Sequence, residues 1–178
     1  MTPPLFAIAG VIDRAQAIGL YDGPLRSIIH SLKYEGRRSL ATPLSALMRD
    51  RCRSILDGAD LVVPVPLHPS RRRERGFNQA LDLARGLGLP VSRALRRTRA
   101  TDSQTGLPAA ERHQNMRGAF APSRVPWRPR SIDARVVVLV DDVSTTGATL
   151  EECGRILQQM GARDVRAVTA ARVATIQP

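Results

Sequence analysis

The chain has 178 residues, 43% of them hydrophobic, which is long enough for one domain with a full core. Its formal charge of +11 invites a nucleic-acid reading, yet lysine occurs once among the 27 basic residues and aromatic residues make up only 3%, too few for a stacking platform on single strands. Two cysteines build no disulfide framework, and the opening apolar run, broken by Asp13 and Arg14, is too short for a spanning helix or signal peptide, so a cytoplasmic chain without membrane insertion is expected.

Apolar residues at Leu25, Ile28, Ile29 and Leu32 predict an amphipathic helix from Pro24 to Lys33. Leu44, Leu47, Ile55 and Leu56 predict a second, from Leu40 to Leu56. Leu61 to Pro66 is a short apolar strand with prolines at its exit. It runs through His68, a structural residue before Pro69, into an arginine-rich turn and a helix from Phe77 to Leu87. Arg71 and Arg72 read as solvated side chains, whereas Asn78 and Gln79 suit either a helix cap or a ligand. From Arg93 to Arg135 periodicity is lost and prolines recur at Pro108, Pro122, Pro126 and Pro129, which predicts a long functional or mobile loop. Val136 to Val140 fits a strand buried on both faces of a parallel sheet. A helix from Ala148 to Met160 and a last strand from Val165 to Ala171 follow, with a frayed tail from Ala174. Strands joined by helices indicate an α/β chain with right-handed crossovers. Cys52 and Cys153 have no partner at ligand spacing and read as buried free thiols. Tyr34, Phe77 and Phe120 read as packing residues, and Trp127 has no assigned role.

The chemistry concentrates after Val140. Open α/β sheets place ligands at the carboxyl ends of their strands, where Asp141 and Asp142 stand here. Thr145, Thr146, Gly147, Ala148 and Thr149 then offer hydroxyls and unobstructed amides just as a helix begins, the arrangement that receives a phosphate. Like charge keeps the two acids off that phosphate, but as acceptors they suit the hydroxyls of a sugar. The same residue types also suit ordinary helix capping. Competing phosphate loops fail: the sole lysine, Lys33, is not in a Walker A context, and Gly86-Leu87-Gly88 lacks both the strand before it and the Rossmann spacing after it. The residues point to a phosphorylated sugar, a ribose.

Four apolar residues, two acids and Val143-Ser144-Thr145-Thr146-Gly147-Ala148-Thr149 resemble the phosphoribosyl pyrophosphate (PRPP) signature of type I phosphoribosyltransferases. Val63-Pro64-Val65-Pro66-Leu67 with Arg75-Gly76-Phe77-Asn78-Gln79 is similar to the ComF branch. So are Tyr21 to Leu25, Leu32-Lys33-Tyr34-Glu35-Gly36-Arg37, and the segment from Arg97 to Phe120. The resemblance implies a type I phosphoribosyltransferase fold, a mostly parallel sheet flanked by helices, with an N-terminal helical hood and a long flexible loop. It covers roughly residues 20–172, and a single domain over 1–178 is expected, with the hood at 1–56, the core at 57–172 and the flexible loop at 93–135. It implies that Asp141 and Asp142 hold the ribose hydroxyls as the catalytic pair, and that Val143 to Thr149 take the 5-phosphate. Arg73, Arg75, Gly76 and Asn78 would meet pyrophosphate; Gln104, Arg112 and Asn115 would close over the site. Lys33 suits a snorkelling helix end but could also reach a phosphate from the hood. Mg2+ is implied through the substrate rather than a protein metal cage. Members of the branch often begin with two zinc-binding Cys-x-x-Cys pairs; none precedes Tyr21, so either a short form or a true start further upstream is expected. A second implied role is an accessory of DNA uptake, with single-stranded DNA or competence proteins as partners. A homodimer is also expected, and no motif identifies the acceptor of phosphoribosyl transfer.

Overall fold

The computed structural model describes residues 5–8, 10–99, 116–124 and 132–174. The chain opens with strands β1 (Leu5–Ile8) and β2 (Ile12–Ala17), paired antiparallel. Helix α1 (Gly23–Tyr34), a 3-10 turn (Arg38–Leu40), α2 (Ala41–Arg51) and the short α3 (Arg53–Leu56) follow. Next come β3 (Leu61–Pro64), α4 (Pro69–Arg75), α5 (Gln79–Arg85), β4 (Leu95–Arg97) and β5 (Phe120–Pro122). The last elements are β6 (Val136–Ser144), α6 (Ala148–Gln159) and β7 (Asp164–Arg172).

The main sheet runs β1-β2-β7-β6-β3, parallel from β2 to β3. β6 lies between β3 and β7, with Val138 level with Val62 on one side and Arg166 on the other. That position explains its unbroken apolar run. Val137 and Leu139 pack on one face with Leu150, Cys153, Ile156 and Leu157 of α6, while Val138 and Val140 pack on the other with Ile29, Leu32, Met48 and Leu83. Arg166, buried in β7, ties helices to sheet: its Nη1 donates to the carbonyls of Ile55 at 3.0 Å and Asp57 at 2.7 Å.

Four sequence expectations change. Residues 1–56 are not wholly helical, because β1 and β2 extend the sheet; in β2, Ile12, Ala15, Gln16 and Ala17 are buried while Asp13 and Arg14 are exposed, a mixed pattern without strand alternation. The second predicted helix breaks at Cys52 into α2 and α3. The arginine-rich turn is itself a helix, α4, whose first turn His68 caps by accepting from the Ser70 amide at 3.3 Å. The long loop is not structureless throughout, since β4 and β5 pair antiparallel with Arg97 level with Phe120.

Candidate functional site

The carboxyl end of β6 carries Asp141 and Asp142, and strand alternation sends them to opposite faces. Asp142 is 3% exposed and lies on the helical side, where Lys33 Nζ from the last turn of α1 sits 2.9 Å from its Oδ1. Burial alone would lower the pKa of Lys33, but the charge and hydrogen bond of Asp142, with the charge of Asp141 behind them, outweigh it and raise it. Lys33 is therefore a firmly charged partner rather than a snorkelling side chain. Asp142 Oδ2 is buried and has no hydrogen-bond partner among the described residues. Asp141 is half-buried and accepts the Asp142 amide at 2.9 Å. Its carboxyl is pushed up to about 7, first by burial and then by the negative charge of Asp142, against the opposing pull of the amide, Lys33 and Arg97.

The loop between β6 and α6 is shaped by Gly147. Its φ of +83° is the left-handed conformation glycine favours, and a Cβ there would lie 3.2 Å from Ile8 Cγ2. Hairpin and loop therefore pack against each other. Thr145 is exposed, and Thr146 Oγ1 accepts the Ala148 amide at 3.4 Å. Ser144 is buried, its carbonyl accepting the Val173 amide at 2.9 Å. Thr149 turns its hydroxyl toward Met116 Sδ, 3.6 Å away, instead of into the loop. Val143 is partly buried against the helical core. The loop thus sits at the amino end of α6, a helix long enough for its dipole to favour an anion.

Across the sheet, α4 presents Arg73 exposed and Arg75 half-buried. Arg75 donates to Gln79 Oε1 at 2.8 Å, and its guanidinium lies 5.2 Å from the centroid of the Tyr34 ring. Gly76, at φ +79°, ends α4. Both ends of Asn78 are engaged by backbone: Nδ2 donates to the Val65 carbonyl and Oδ1 accepts from the Ala80 amide, each at 3.0 Å. Of its two sequence readings, the structure gives it the cap. Beside this loop a cleft of about 210 Å³ is lined by Arg38, Arg72, Arg85 and Arg93 around Asp82, and Arg72 is exposed at its rim, as expected of a solvated side chain. Asp141, Asp142 and the loop after β6 do not line it.

Gln104, Arg112, Asn115 and Trp127 lie outside the described residues. The described ends of the first segment are joined, the Thr98 amide donating to the Ala119 carbonyl at 2.8 Å. They are tied to α6 by the Gly118 amide on Glu152 Oε1, also 2.8 Å. Sequence reasoning missed Glu152; a glutamate buried in a helix with arginine at i+3, where Arg155 clamps it, was the available signal. It also missed the partners of Lys33 and Arg75, for which no local signal exists.

Residues 73–175 match the phosphoribosyl transferase domain. Over 170 residues the chain is 34% identical to Competence protein F of Haemophilus influenzae, covering 90% of this chain and 73% of that one. The chain belongs to the ComF family. DNA utilization protein YhgH of Escherichia coli K12 is 36% identical over 164 residues, 86% of this chain and 70% of its own. A solved purine phosphoribosyltransferase from Pyrococcus horikoshii aligns over 77% of this chain and 78% of its own at 18% identity, with a TM-score of 0.44. This ComF chain has the type I phosphoribosyltransferase fold, a mostly parallel sheet flanked by helices. No helix among its described residues is long and apolar enough to cross a membrane.

Proposed function

We propose that this ComF protein binds PRPP and transfers its phosphoribosyl group to an acceptor in the cytoplasm. The observation that carries the reading is the loop from Asp141 to Thr149. It has two acids at a strand's carboxyl end, then a left-handed glycine, then the start of a twelve-residue helix. Transfer breaks the bond from the anomeric carbon to pyrophosphate, with positive charge growing on the ribose and negative charge on the leaving group. Asp141 and Asp142 accept from the ribose hydroxyls and stand near the growing positive charge. Amides from Ser144 to Thr149, with the hydroxyls of Thr145 and Thr146, receive the 5-phosphate. Arg73 and Arg75 supply planar forks for the pyrophosphate, a better match than point charges. Asp142 Oδ2, buried without a donor among the described residues, and the Asp141 carboxyl are hard oxygen donors on separate faces, so either could hold Mg2+ only alongside substrate oxygens and not as a protein cage. When bound, the ion would neutralise charge on the leaving group.

Titration calorimetry with PRPP and Mg2+ tests the reading, beside the Asp141→Ala/Asp142→Ala variant. Binding by the wild type and none by the variant is expected; equal affinity in both sinks the assignment.

A second reading, association with single-stranded DNA, is favoured by the arginine-lined cleft beside α4 and by the competence and DNA-utilization names of the relatives. It predicts affinity for an oligothymidylate that falls steeply with salt, through release of counterions. A complex indifferent to salt contradicts it. The two readings are compatible, since the cleft and the acid pair are separate.

A further inference from the structure

The last turn of α1 carries Lys33 and Tyr34, and consecutive helical residues point in directions about 100° apart. Each reaches a different half of the site. Lys33 holds Asp142 Oδ1 at 2.9 Å and leaves Oδ2 without a described donor. Tyr34 is 64% exposed, too open for a packing residue, with its ring under the Arg75 guanidinium and its centroid 4.9 Å from that of His30. No carboxylate pairs with Arg75 among the described residues, where its only other recorded hold is the neutral amide of Gln79. Its charge is thus oriented but not neutralised.

We propose that Lys33 and Tyr34 are paired positioning residues, Lys33 setting the acid that receives the ribose hydroxyl and Tyr34 setting the arginine that receives pyrophosphate. The inference rests on the PRPP reading above and adds that one helical turn aligns both halves of the ligand. Lys33 fixes the Asp142 carboxylate through Oδ1, so the second oxygen, Oδ2, keeps one direction. The Tyr34 ring attracts the Arg75 guanidinium to its face and leaves the N–H edges directed outward. Because the two contacts are separate, the two halves of the ligand should respond to different substitutions.

The test uses the full chain and two probes, ribose 5-phosphate and magnesium pyrophosphate, each titrated by calorimetry. Lys33→Met is expected to weaken ribose 5-phosphate by about tenfold and pyrophosphate by less than about twofold. Tyr34→Leu is expected to do the reverse, weakening pyrophosphate about two- to fivefold, the span of an exposed cation–π contact. Lys33→Arg and Tyr34→Phe, which keep the charge and the ring, are expected to recover most of each loss. Equal weakening of both probes by either variant, or no weakening, overturns the proposal, because a merely structural role does not discriminate between them. Should Lys33→Met fail to fold, the exposed Tyr34 carries the same test alone. A wild-type chain that binds neither probe overturns the PRPP reading and this inference with it; a wild type that binds both, with variants that do not discriminate, overturns only this inference.

Discussion

Lys33 and Asp142 form an ion pair whose side chains are only 15% and 5% exposed, joining α1 to the end of β6. Removing one partner of such a pair strands a buried charge, at a cost of about 3–5 kcal/mol. Lys33→Met preserves the length of the stem and leaves Asp142 uncompensated, so its loss should fall in that range. Asp142→Leu matches the carboxylate's branched shape and strands the ammonium. Lys33 is the less enclosed partner and can turn toward water, so this second loss should be the smaller, about 2–3 kcal/mol. The double variant removes both charges and should be more stable than Lys33→Met alone, giving an interaction energy of about 1–3 kcal/mol. Urea unfolding followed by far-ultraviolet circular dichroism and by hydrodynamic radius measures all four proteins, and coincident transitions justify a two-state treatment. The interaction energy of the pair should also change little between low and high salt, since a pair this buried is only weakly screened. Single losses below about 1 kcal/mol that add to within about 0.5 kcal/mol would show a contact of the solvated surface kind and refute the buried link between α1 and β6.

The Asp141 carboxyl holds its proton up to about 7 in the folded chain, against an ordinary value of 3.8. Folding therefore takes up a proton between those values, and this group's contribution to stability is full below the lower value and is lost as pH rises through the upper. Asp141→Asn should accordingly raise the melting temperature, relative to wild type, more at about pH 8 than at about pH 4; a difference that is flat with pH rules this out. Gly147→Ala places a side chain at φ +83° against Ile8. The strain of about 1–2 kcal/mol should lower the melting temperature by about 2–8 °C and weaken ribose 5-phosphate binding, and an unchanged melting curve contradicts it. Burial pushes the Cys52 thiol up to about 12 and that of Cys153 well above its ordinary range. Neither should react with a disulfide reagent near neutral pH until the chain unfolds, when both should; prompt labelling of the native protein shows the helices to be more open than described.

Much of the site was legible because its signal is local. Val136 to Thr149 contains the strand, the acids, the turn and the helix start in one uninterrupted stretch, and backbone chemistry places those parts together whatever the rest of the chain does. The same is true of α1, whose apolar spacing suffices. The opening hairpin was not legible, because Ile12 to Ala17 lacks strand alternation and is held as a strand by pairing with β7. Nor was α4, since four arginines and a glutamate read equally well as a solvated turn; the His68 cap and the glycine stop decide it. The roles of Lys33 and Tyr34 belonged wholly to tertiary structure. A lysine at a helix end has no preferred partner until packing brings a buried carboxylate within 2.9 Å, and an exposed tyrosine has no preferred cation until α4 folds over it. Composition and short motifs specify the chemistry a segment can perform. Which charges are desolvated, and which side chains meet across the sheet, depends on contacts between distant parts of the chain, and those exist only once the core has formed.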